Sequence, residues 1–182
     1  MLATAGPFGL EMGMTPEQLR QAGVDLKPQK NGWFEARKLP KTLDAFEAYE
    51  LWVEPGIGLC KLRAIGRTIT SNSFGDQLKA EFDTIEQLLV GAYGQNKRFD
   101  FLRNGSIWSD SNDWMMALLK KERTLTSYWD KSEGSTMKDR VSAIALEANG
   151  MNVSRGYIEV RYEFENVDSC IEKSKSRRSG TL

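Results

Sequence analysis

The chain has 182 residues, of which 40% are apolar and 27% charged, so a single hydrophobic core can hold it and neither a disordered nor a fibrous class is indicated. Twenty-five basic residues balance twenty-five acidic ones, leaving no whole-molecule field to draw the chain onto nucleic acid or an anionic membrane. The complete absence of histidine excludes Ser-His-Asp and Cys-His catalysis, histidine-ligated zinc or haem, and imidazole acid-base chemistry.

At the start, Ala3-Thr4-Ala5 has the small-x-small form of a signal-peptidase site, but no apolar stretch precedes it. The chain as written reads as cytoplasmic, or as periplasmic or secreted if a leader was removed. Thr15-Pro16-Glu17-Gln18 is a capping box with proline at the first helical position, which predicts a short helix from Pro16 to Ala22, closed by Gly23. Strands are expected over Gly32 to Leu39, Ala45 to Glu54 and Ile57 to Arg67. The Pro55-Gly56 turn joins the last two as a hairpin.

From Gly75 to Tyr93 the residues Leu78, Phe82, Ile85, Leu88, Leu89, Ala92 and Tyr93 recur at helical spacing, and Gly94 ends the pattern. This helix is expected to lie across one sheet face. A strand from Lys97 to Leu102, a helix from Asn112 to Glu122 and a strand from Thr124 to Trp129 follow. Thr136 through Asp139 reads as another helix start, with Val141, Ile144, Ala145 and Ala148 as its apolar stripe. In the strand Gly156 to Phe164, Ile158, Val160, Tyr162 and Phe164 alternate with polar or wet positions, the pattern of an antiparallel strand with one solvated side. Asn166 is placed to cap a last helix through Cys170 and Ile171.

The fold expected is α+β, an antiparallel sheet of five or six strands with helices mainly on one face. Residues 1–172 are expected to form one globular domain, and 173–182 a basic tail. That tail carries Lys173, Lys175, Arg177 and Arg178 but no aromatic residue for base stacking, so it reads as a frayed end, not a nucleic-acid arm. No apolar run approaches the roughly 20 residues of a membrane span, so no membrane insertion is expected.

Sites of chemistry are sparse. Two cysteines, Cys60 and Cys170, are too few for a disulfide framework and are expected as buried free thiols; if paired they would close a loop of over a hundred residues and imply an oxidising compartment. Gly56-Ile57-Gly58-Leu59-Cys60-Lys61 lacks the third glycine of a phosphate loop and lies in a hairpin. Ser109 to Asp113 begins like a calcium loop but has neither its sixth-position glycine nor its twelfth-position glutamate, so helix capping accounts for it. No metal or cofactor is expected.

The remaining signal is aromatic. Trp114 belongs to a helical apolar stripe and reads as core. Trp33 and Trp52 alternate with Glu35, Arg37, Glu50 and Glu54, so they are expected to share a charged sheet face, the composition of an interface hot spot. Trp108 sits in a loop, and Tyr128 and Trp129 are further contact candidates.

The segment Phe8-Gly9-Leu10-Glu11-Met12-Gly13-Met14-Thr15-Pro16-Glu17-Gln18-Leu19, followed by Gly23 and aromatic strands, resembles the helix-then-meander unit of small bacterial envelope proteins. These include the small lipoprotein of the outer-membrane barrel-assembly machinery and β-lactamase-inhibitor-like domains. The resemblance reaches residues 8 to 67 and implies a helix packed on an antiparallel sheet used for protein contact. The functional expectation is a non-enzymatic module that binds another protein through Trp33, Trp52, Trp108, Tyr128 and Trp129, an inhibitor, immunity or accessory factor of bacterial or phage origin. The rival is a small-ligand binder or carboxylate or thiol enzyme with a pocket between sheet and helices, using Asp100, Asp130, Glu133 or Cys60.

Overall fold

The computed structural model describes residues 6–180. Ala3-Thr4-Ala5 and the last two residues lie outside them. The elements are α1 (Pro16–Gln21), β1 (Lys27–Pro28), β2 (Trp33–Ala36), β3 (Phe46–Glu54), β4 (Gly58–Gly66), β5 (Ile69–Thr70), α2 (Asp76–Tyr93), β6 (Lys97–Leu102), α3 (Trp114–Leu119), β7 (Arg123–Asp130), β8 (Val141–Asn152), β9 (Arg155–Phe164) and α4 (Val167–Ser179). The class is α+β, and the strands form one antiparallel sheet in the order β1-β2-β3-β4-β9-β8-β7-β6, with β5 paired to β9. Among the described residues no helix is long and apolar enough to cross a membrane.

Among the described residues nine strands replace the five or six expected. Two of the additions, β1 and β5, are two-residue pairings too short to leave a periodic signal. The third is the long strand β8, where the spacing of Val141, Ile144, Ala145 and Ala148 predicted a helix. Asp139 and Arg140 both have positive φ, at 55° and 57°, and this left-handed pair cannot nucleate a right-handed helix. Beyond it Ile144, Leu146 and Ala148 are buried at period two. Lying between β9 and β7, β8 satisfies its backbone through neighbouring strands, which overrides the helical preference of its alanines.

The chain divides into two compact units. The first takes residues up to Ala64, Met137–Ile144 and the stretch from Arg161 on; the second takes Ile65–Thr136 and Ala145–Val160.

In the first unit the capping box forms as the sequence indicates, Gln18 N donating to Thr15 Oγ1 at 3.3 Å and Thr15 N to Gln18 Oε1 at 2.9 Å. The β2 and β3 register sets Trp33 opposite Trp52 and Glu35 opposite Glu50; the other side carries Phe34 opposite Leu51 and Ala36 opposite Tyr49. Ala36, Tyr49 and Leu51 are buried. The Phe8 ring meets Tyr49, Phe46 and Tyr162 edge-on at 5.2, 5.7 and 6.1 Å, a preferred aromatic geometry.

Helix α4 closes this unit. Cys170 is disulfide-bonded to Cys60, which corrects the expectation of free thiols. Asn166 occupies the N-cap position, but its side chain makes no capping bond and donates instead to Leu59 O at 3.0 Å. The basic residues past 173, which composition marks as a frayed end, continue the helix to Ser179. Arg177 grips the fully buried Glu54 with two bonds, Nε to Oε1 at 3.2 Å and Nη2 to Oε2 at 3.1 Å. A buried carboxylate needs such a partner, and the bidentate fork supplies it.

In the second unit α2 buries Leu78, Phe82, Ile85, Leu89 and Tyr93. Glu86 takes an inward position as well, while Leu88 is exposed. The Glu86 carboxylate is satisfied by Asn96 Nδ2 at 2.8 Å, Arg98 Nη1 at 2.6 Å and a short bond from Ser127 Oγ. Trp114 is buried, as its stripe predicts, and its ring lies against Gly75. A Cβ at Gly75 would fall 2.1 Å from that ring, and φ there is +77°; only glycine fits both demands.

Candidate partner-binding surface

Trp33 and Trp52 face one another across β2 and β3, stacked at 6.1 Å between ring centroids and 17° between planes. Trp52 is the inner partner, buried in a cluster with Cys60, Val167 and Cys170, against which Ile57, Ile171 and Trp33 pack. The disulfide and the first turn of α4 therefore brace Trp52 from behind, and Trp52 in turn holds Trp33, which is half-buried. A rigid aromatic anchor loses little side-chain entropy when a partner lands on it.

Of the charged residues predicted for this face, Glu35, Arg37 and Glu50 are paired on it, whereas Glu54 is fully buried. Arg63 Nη1 bonds Glu50 Oε2 at 2.8 Å, Arg37 Nε bonds Glu35 Oε1 at 3.1 Å, and Lys61 Nζ bonds Glu163 Oε1 at 2.6 Å. Lys61 Nζ also stands 5.9 Å from the Trp52 ring centroid. An open cleft of about 550 Å³ runs beside Trp33, lined by Gln29, Lys30, Trp33, Phe34, Glu35, Glu50 and Arg63. Its walls offer an aromatic plane, an arginine fork and charges of both signs.

No family model matches the chain, and neither does any curated protein or solved structure.

The other contact candidates lie in the second unit. Trp129 is fully buried, its indole N–H donating to Gly94 O at 3.1 Å. Its neighbour Tyr128 is 41% exposed and meets Phe99 edge-on at 5.8 Å. Trp108 is half-buried in the loop after β6, beside Ile107, which is 78% exposed. Sequence reasoning missed Phe99 and Phe101. Their alternation with Arg98 and Asp100 was the available signal.

The residues of the rival enzymatic reading are each engaged elsewhere. Cys60 is in the disulfide, and Asp100 Oδ1 accepts from Arg123 Nη2 at 2.7 Å. Glu133 Oε1 accepts from Lys97 Nζ at 3.2 Å. Asp130 caps the turn Lys131–Glu133, its Oδ1 accepting from the Ser132 hydroxyl at 2.5 Å and amide at 2.7 Å and from the Glu133 amide at 3.1 Å. The Ser132 hydroxyl leads these bonds in holding the Asp130 carboxyl below its ordinary value. None of the four lines the Trp33 cleft.

Partial burial opposes ionisation of Asp25, but the amides of Lys38 and Arg37, at 2.7 and 2.9 Å from Oδ1, outweigh it and lower its pKa. A lowered folded-state pKa means stability that is present above the ordinary carboxylate value, near about 4, and lost as pH falls through the lowered one. Urea unfolding at about pH 7 and pH 3 is expected to show a smaller acid loss for Asp25→Asn than for the parent chain, because the amide keeps an acceptor and has no proton to gain.

Proposed function

We propose that the protein is a non-enzymatic module that binds another protein through the Trp33 cleft, as an inhibitor, immunity or accessory factor of a bacterium or phage. The observation that carries this reading is the stacked Trp33 and Trp52 pair, braced by the disulfide and bordered by Arg63, Glu35 and Glu50. Tryptophan and arginine side chains on a preorganised surface are the residues that dominate interface energies. The balanced charges of Lys30, Arg63, Glu35 and Glu50 suit a partner of mixed charge, as does a chain with no net charge. The resemblance of Phe8 to Leu19 to envelope proteins that work by protein contact points the same way.

The test is a photo-crosslinking residue at Glu35 in the full chain, incubated with extract of the producing cells, with the same residue at the exposed Leu88 as control. One adduct of defined mass from position 35 and none from position 88 is the expected result. The same scatter of adducts from both positions would remove the reading.

A further inference from the structure

We infer that the free edge of the sheet at β6 is a self-association surface, where two copies of this chain pair antiparallel about Phe99. Strand β6 is the last in the sheet order, so among the described residues one side of its backbone has no strand beside it. Its register on β7 sets Lys97 opposite Tyr128, Phe99 opposite Thr126 and Phe101 opposite Thr124. Residues opposite one another in an antiparallel pair point to the same face. Lys97, Phe99, Phe101 and Tyr128 therefore form one patch at the sheet edge, in which Phe101 is 51% and Tyr128 41% exposed. Lys97 Nζ lies 5.6 Å from the Phe99 centroid.

An exposed edge bearing aromatic residues is a template for strand addition, and charged residues on such edges ordinarily discourage it. Here the charges select a register instead. If two copies share a twofold axis perpendicular to the sheet, each face continues into itself, so only residues of the same face stand opposite one another. Centring the axis on Arg98 sets Arg98 against its own copy, and centring it on Asp100 sets Asp100 against its own copy; like charges directly opposite are destabilising. Centring it on Phe99 sets Phe99 against Phe99, Arg98 against Asp100 of the second copy twice over, and Lys97 against Phe101. That register alone pairs opposite charges on one face and gives cation and aromatic neighbours on the other.

Arg98 already bonds Asp83 and Glu86, and Asp100 bonds Arg123. Pairing extends these two networks across the axis. Strands of six residues bury less than the roughly 1,200 Å² of a tight interface, so the dimer is expected to dissociate in the micromolar range.

Sedimentation of the full chain over a concentration series tests the association. The mass is expected to rise from the 20.6 kDa of one chain towards twice that value, and Phe101→Lys to keep it at one. The register is tested by mild oxidation of single-cysteine additions. Phe99→Cys is expected to be trapped as a covalent dimer at least ten-fold more than Phe101→Cys, whose copies lie apart in this register. A single-chain mass at every concentration overturns the proposal, as does equal trapping at both positions. Should Phe99→Cys exchange with the native disulfide, sedimentation of the unaltered chain decides.

Discussion

Replacing both Cys60 and Cys170 by alanine is expected to lower the free energy of unfolding by about 4 to 5 kcal/mol, because the bridge joins residues 110 apart in sequence and so restricts a large loop of the unfolded chain. The effect is expected to exceed what the lost sulfur packing accounts for. The same bond fastens α4 to the Cys60 strand beside the Trp52 cluster. Urea unfolding of the parent chain, with and without a reductant able to reach the bond, should reproduce the difference, and hydrogen exchange should rise first in Val167–Ser179. A change of less than about 1 kcal/mol would show that the unfolded chain is not restrained by this link.

The second large effect is expected at Trp129. It is fully buried and its indole N–H satisfies Gly94 O at the end of α2. Trp129→Ala opens a cavity and strips that carbonyl of its donor, a loss of about 3 to 5 kcal/mol. In a chain of this length that corresponds to a fall of roughly 6 to 20 °C in melting temperature. Tyr128→Ala, one residue away but outward, is expected to cost less than about 1 kcal/mol. Thermal unfolding of the two variants side by side checks this, and similar losses at both positions would contradict the assignment of Trp129 to the core and Tyr128 to the surface.

Much of the first unit was legible because its signals are local. Thr15 and Gln18 declare the start of α1 through side chains three residues apart, and Pro55-Gly56 declares the hairpin. The strict alternation around Trp33 and Trp52 placed them on the charged side, where the β2 and β3 register sets them opposite one another. What escaped was non-local. β8 is a strand because of the strands on either side of it, and nothing within Val141 to Asn152 outweighs its alanines. The link from Cys60 to Cys170 depends on α4 returning to the sheet, and two isolated cysteines carry no spacing from which to read it. For the same reason Lys173 to Ser179 looked like a solvated end. The residue that holds this stretch down, Glu54, lies more than a hundred positions away and is itself buried.

Tyr128 and Trp129 show how narrow the margin is at a surface. Adjacent strand residues point to opposite faces, so two aromatics that look equivalent in the sequence become one core residue and one exposed one. Trp33 and Trp52 divide similarly, the inner ring serving as backing for the outer.

The outer ring, Trp33, is the proposed anchor for a protein partner. Once a partner has been captured at position 35, its dissociation constant should be measured for the parent chain and for Trp33→Ala, with the unfolding midpoints of both recorded alongside. At least ten-fold weaker binding is expected, the loss of one anchor residue, from a variant that stays folded under the assay conditions. Equal affinity of the two chains would contradict it.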